Sequence, residues 1–124
     1  MLLAPVGLPL TSFTCISETH KKISGLSGFD FEVVETDCDA LAKDASISVF
    51  VSEPGHANKA LLFKYGPAGL GPDPVISEID AHSIQVSVPH ISDEMFRRES
   101  FEGLSINYEI GIVDYPRPNT KKSG

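Results

Sequence analysis

Residues 29–52 read FDFEVVETDCDALAKDASISVFVS. Both ends of this stretch alternate apolar and polar side chains, and a period of two marks a half-buried β-strand. Phe29, Phe31 and Val33 share one face, with Asp30 and Glu32 opposite. At the other end Ile47, Val49 and Val51 share a face against Ser46, Ser48 and Ser52, and only Phe50 interrupts the polar side. Between the two runs, Asp37, Asp39 and Asp44 surround Cys38, one of two cysteines in the chain.

The same period recurs outward from this stretch. KALLFKY sets Leu61, Phe63 and Tyr65 together with Lys64 opposite, and HSIQVSV sets Ile84, Val86 and Val88 against Ser83, Gln85 and Ser87. DPVISEID is a further short run. LSINYEIGIV is the longest, with Leu104, Ile106, Tyr108, Ile110 and Ile112 in register. Pro54-Gly55 is a turn dipeptide, YGPAGLGPDP can continue neither helix nor central strand, and EIDAHS suits a hairpin. Three segments are candidates for a helical turn: SETHKKISGLSG, DCDALAKDA, and HISDEMFRRESFEG, where Ser92 or Asp93 would cap a turn carrying Met95 and Phe96 inward.

These signals predict a mainly β domain over residues 1–115, an antiparallel sandwich or small open barrel of about six to seven strands with one or two short helical turns. Its core is expected to hold Phe31, Val33, Ile47, Val49, Val51, Leu61, Phe63, Ile84, Val86, Ile106, Tyr108 and Ile110. Residues 116–124 lose the periodicity and read as a disordered tail.

Of 124 residues, ten are basic and 17 acidic, a net charge of −7. That balance opposes nucleic-acid binding, which needs a positive stripe, and docking on an anionic membrane. It favours a basic protein partner. The opening MLLAPVGLPLTSFTC is apolar but broken by Pro5, Gly7 and Pro9, and lacks the leading Lys or Arg of a signal peptide. It is too short to span a bilayer. It is expected to lie as an edge strand, the alternative being a start that lacks its leader.

Chemistry-bearing patterns are sparse. His20, His56, His82 and His90 form no metal spacing with each other or with a cysteine, and read as loop and strand-end residues. No nucleophile elbow appears, and the prolines of GPAGLGPDP remove the backbone donors that a phosphate loop needs. DCDALAKD has the acids of a calcium loop without its central Gly or closing Glu. The acids around Cys38 would raise its thiol pKa, which opposes a reactive thiolate. Cys15 and Cys38 both fall at strand ends, where they can form a disulfide or a buried thiol pair.

TDCDA, SISVFVS, VISEIDAHSIQVSV and LSINYE, in that order between Gly28 and Gly111, resemble a group of small β-rich bacterial proteins of unknown function. In that group an Asp-Cys turn precedes a Ser/Val strand. Glu78 stands where the group has an aromatic residue, and the chain has no Trp. The resemblance implies a fold type and no catalytic residues. The function expected is a non-catalytic interaction protein that meets a basic partner through Asp37, Asp39, Asp44, Asp93 and Glu94. No cofactor, resident metal or catalytic residue is expected. The compartment stays open between cytoplasm and cell envelope. Two alternatives stand beside this reading: a metal-dependent or hydrolase-like enzyme with a site near Cys38, and an envelope protein without its leader.

Overall fold

The computed structural model describes residues 15–38, 44–56, 58–69 and 71–116. Among these residues there are eight strands and no helix: β1 (Cys15–Leu26), β2 (Phe29–Cys38), β3 (Asp44–Ser52), β4 (Ala60–Pro67), β5 (Val75–Asp80), β6 (Ser83–Arg97), β7 (Ser100–Phe101) and β8 (Leu104–Val113). They form one open sheet in the order β1-β2-β3-β4-β6-β8-β7, with β5 paired to β6 off that path. The expected edge strand before Cys15 and most of the expected disordered tail lie outside the described residues.

Mainly β is the architecture observed, but three expected details need correction. The strands number eight rather than six or seven. The sheet is not wholly antiparallel, because β6 and β8 run parallel. The segments read as helical turns contain no helix among the described residues and are mostly strand: SETHKKISGL lies in β1, and HISDEMFR completes β6. Residues 39–43 of the third such segment lie outside the described residues.

Local chemistry accounts for the hairpins. Ser27 and Gly28 join β1 to β2 with φ of 51° and 84°, and Glu102 and Gly103 join β7 to β8 with φ of 49° and 84°. Two successive left-handed residues make the hairpin turn whose twist matches its strands, and glycine at the second tolerates that conformation. At the β5–β6 turn, the Asp80 carboxylate accepts from the His82 N–H at 2.8 Å and the Ser83 hydroxyl at 2.9 Å. A side chain that bonds the backbone two residues ahead favours a turn there.

Strand β6 has to bend. Straight, its span from Ser83 to Arg97 would measure about 46 Å at ~3.3 Å per residue. Yet β8 starts beside Ser83, with Ser83 paired to Ser105, and only residues 98–103 lead back. Such a return reaches at most about 25 Å when fully extended. Two register shifts against β4 supply curvature, one passing over Ser92 and one over Met95. Bulges bend a strand and increase its twist. The same irregularity broke the alternation of HISDEMFR and gave it a helical look. Met95 and Phe96, expected inward, are 41% and 37% exposed.

The bent sheet encloses one apolar cluster, to which β2 gives Phe31 and Val33, β3 Val49 and Val51, β6 Ile84 and Val86, and β8 Leu104 and Ile106. In β4 a register shift opposite Val49 and Phe50 adds a residue. It turns Leu62 inward beside Phe63, both fully buried, and leaves Leu61 half-buried opposite Phe50. Leu62 therefore takes the core place expected of Leu61. Tyr108 and Ile110 are half-buried, and Ile112 is exposed, because β8 lies at the margin of the sheet. The Tyr108 hydroxyl donates towards the Leu62 and Arg98 carbonyls at 3.1 and 2.7 Å.

Candidate functional site

The inward face of β2 changes character along its length. Phe29, Phe31 and Val33 give way to Glu35 and Asp37 on the same side, since the β2–β3 ladder has no shift between Asp30 and Cys38. Where the apolar rows end, a cleft of ≈ 240 Å³ opens among His20, Glu35, Ile47, Tyr65, Asp73 and His90. One transverse row of paired residues reads Glu18, Glu35, Ile47, Tyr65, Glu94. The cleft is this end of the sheet, its mouth, flanked by the loop between β4 and β5.

A bulge delivers His20 to it. In the β1–β2 ladder Thr19 pairs with Val34 and Lys21 with Val33, so His20 is the unpaired extra residue. Bulges re-aim a side chain in this way. The His20 ring stands between two carboxylates, Nδ1 2.8 Å from Asp73 Oδ1 and Nε2 2.8 Å from Glu35 Oε1. Its pKa is raised above the ordinary 6.5 by the hydrogen bond to Asp73 and by the charges of Asp73, Glu35 and Glu18, against an opposing effect of burial. Burial pushes the Tyr65 hydroxyl upward as well, so it stays neutral. His90 Nε2 lies 2.8 Å from Asp114 Oδ1.

Three elements therefore meet on one imidazole: the edge strand β1, its neighbour β2, and the loop leading into β5. Among the described residues the ladders pair β1 with β2 only, and β5 with β6 only. Side chains join β1 to β5 instead. Lys21 Nζ donates to the Pro74 carbonyl at 3.3 Å. At the far end Ser27 donates from its N–H to Glu78 at 2.9 Å and from its hydroxyl to the Asp80 carbonyl at 2.6 Å.

A second cleft of ≈ 160 Å³, lined by Lys22, Asp30, Glu32, Phe50 and Lys59, is electrostatically closed. Glu32 holds Lys59 at 2.6 Å and accepts from the Thr19 hydroxyl at 2.9 Å. Its pKa is lowered, first by the Lys59 hydrogen bond and then by that of Thr19.

The five acids expected to bind a partner are spread along the sheet. Asp37 is exposed in β2, one inward position beyond Glu35. Asp39 lies outside the described residues, and Asp44 opens β3 opposite Cys38. Asp93 pairs with Gly66 next to the mouth, and Glu94 is engaged with Arg97 at 2.7 Å. That guanidinium lies 4.5 Å over the Tyr108 ring. Sequence reading missed His20, Glu35 and Asp73. The bulge that aligns them leaves no periodic trace, although the step from Val33 to Glu35 on one face was visible.

Cys15 and Cys38 face each other in the β1–β2 register, and their sulfurs are bonded at 2.11 Å. A site using a free Cys38 thiol is thus not what this structure offers. Among the described residues no three histidine, cysteine or acidic side chains are arranged to hold a metal ion, and no helix is long and apolar enough to cross a membrane.

The fold and cleft together define a class: a small β domain with an acidic, histidine-clasped mouth. No family model matches the chain, and neither curated proteins nor solved structures yield a significant match.

Proposed function

We propose that this protein is a non-catalytic binding domain that receives a cationic group of a basic protein partner at its acidic mouth. The bent sheet serves it as a small open-barrel frame. The observation that carries this reading is the meeting of Glu35 and Asp73 in the cleft where the inward face runs out of apolar residues, with Glu18 paired to Glu35 and Asp37 one inward position beyond it. Size agrees with it. Pockets for drug-sized ligands run from about 300 to 1,000 Å³, whereas ≈ 240 Å³ suits one lysine or arginine head group. His20 is a poor general base here, because both its nitrogens already face carboxylates.

Titration calorimetry with an arginine- and lysine-rich peptide tests the proposal. Glu18 and Asp37 form neither of the two ion pairs of the His20 ring, so E18Q/D37N removes acidic charge beside the cleft and keeps both contacts, with Glu18 giving the smallest of the charge contributions that favour the imidazolium. That variant is expected to weaken binding by about fivefold to tenfold, at up to ~1 kcal/mol per exposed pair. Binding should also weaken from low to physiological salt, where screening shortens the field to about 8 Å. Equal affinity of E18Q/D37N and the parent, with no salt dependence, would reject the mouth as the docking point. Asp93 and Glu94 form the comparison set, and a loss confined to D93N/E94Q would move the interface to β6. The Cys15–Cys38 bond favours a setting outside the reducing cytosol, in keeping with the envelope alternative.

A further inference from the structure

We propose that His20 is a proton-operated clasp that holds the β4–β5 loop against the β1–β2 edge while the imidazole is charged and releases it when the proton leaves. Valence ties the clasp to the proton. Both ring nitrogens stand 2.8 Å from carboxylate oxygens. An imidazolium carries an N–H at each nitrogen and can satisfy both contacts. A neutral imidazole carries one, and its bare lone pair then faces a carboxylate at the same distance. One contact has to open: the Nε2–H tautomer frees Asp73 outright, and the Nδ1–H tautomer frees Glu35 and keeps Asp73 only through a hydrogen bond without the ring's positive charge, so the loop's attachment weakens in either case.

The surroundings set the direction. Glu18 on β1, Glu35 on β2 and Asp73 on the loop favour the charged ring. Lys21 on β1 turns its ammonium to the Pro74 carbonyl, Tyr65 on β4 stays neutral, and β3 offers the apolar Ile47. His90 on β6 also lines the cleft and contacts Asp114. A raised histidine pKa contributes stability that is complete below 6.5 and is lost as pH rises through the raised value.

The fold makes the contact consequential. No ladder pairs β1 with β5, so the closure between them rests on side-chain bonds at two ends. At the Ser27 end the donors and acceptors are a backbone N–H, a hydroxyl, backbone carbonyls and Glu78. At the mouth end the principal link is the titrating ring, with the Lys21–Pro74 contact beside it. Release would therefore start at the mouth and leave the Ser27 end fixed. The clasp itself needs no partner. Its role in governing access rests on the cation-binding reading, since opening frees Glu35 and Asp73 for an incoming cation.

Nuclear magnetic resonance on the full chain without any ligand tests it. The His20 ring should titrate above 6.5, and D73N should shift that midpoint down towards the ordinary value. Backbone relaxation of Gly69, Gly71 and Asp73 should match that of β4 at about pH 5.5, where the ring is charged, and show added fast motion at about pH 8.5. H20Q should show the mobile pattern at both values, with resonances of β3, and of β2 away from Glu35, unchanged. Loop relaxation that is the same at both pH values, or a pH response that survives in H20Q, overturns the clasp. If H20Q does not fold, D73A, which removes the loop's acceptor without supplying an amide donor, carries the same expectation. Because no partner is present, failure here leaves the cation-binding test unaffected, and the reverse also holds.

Discussion

Gly111 shows how closely backbone can constrain a single position. A Cβ built there would overlap the Pro89 carbonyl oxygen across the β6–β8 pair. That oxygen belongs to the main chain and cannot swing aside. Gly111→Ala is expected to cost about 1–3 kcal/mol by overpacking. Gly71→Ala is the control, because its nearest neighbour would be the Ala68 oxygen at an ordinary 3.9 Å. Urea denaturation of the two variants reads the difference, and equal midpoints would mean that β6 and β8 lie further apart than described. Val49 is the complementary case. Fully buried in the core, it would bury an unpaired carboxylate on substitution by Asp, at a cost of several kcal/mol that approaches a domain's whole stability. A Val49→Asp protein that melts like the parent would refute the assigned strand face.

Among the elements, β1 depends most on attachments other than a ladder on both sides. Its first six residues are all exposed, and among the described residues β2 is its one ladder partner. The disulfide pins its first residue, and His20, Lys21 and Ser27 pin the rest. Closing a chain separation of 23 residues stabilises by roughly 3 kcal/mol in the chain-entropy model. Reductant should lower the denaturation midpoint accordingly. Alkylation followed by mass spectrometry gives the covalent check: two alkylated cysteines in unreduced, denatured protein would exclude the bond. This strand was hard to read because polar residues occupy both faces of SETHKK, as an edge strand permits. By contrast β2, β3 and the first half of β6 were legible, since each buries one face and solvates the other. Bulges explain the remainder. Each adds one residue and inverts the alternation, so Leu62 replaced Leu61 in the core and HISDEMFR lost its strand pattern.

For the molecule as a whole, stability should peak between two titrations of opposite sign. Glu32 and Asp80 have lowered pKa values, the first chiefly through Lys59 and the second chiefly through the His82 N–H. Lowered carboxyls contribute above their unfolded values, here near 4.5 and 3.8, and lose that contribution as pH falls through the folded ones. His20 acts in the other direction above 6.5. Melting temperature followed from acid to mildly alkaline pH should therefore decline at both ends. The alkaline decline should be absent from H20Q. Of this scheme the composition disclosed only the acid excess. The site joins Glu35 in one strand to Asp73 in a distant loop through a bulged histidine, and that juxtaposition belongs to the bent sheet rather than to any local run of residues.

The bend in β6 also orders events in time. The pairings β1–β2, β2–β3 and β3–β4 link consecutive strands, and β5–β6 and the two-residue β7 with β8 are tight hairpins. Their loop-closure entropy is small, so such contacts form early. Parallel β8 finds its place only once β6 has curved enough to bring Ser83 within reach of residues 98–103. Contacts of β8 with β6 should thus be weakly developed in the folding transition state. Ile106→Val, which removes one methyl from a buried site, is expected to cost about 0.5–1.5 kcal/mol. Stopped-flow chevrons should show that cost almost wholly as faster unfolding, whereas Val49→Ala should slow folding itself.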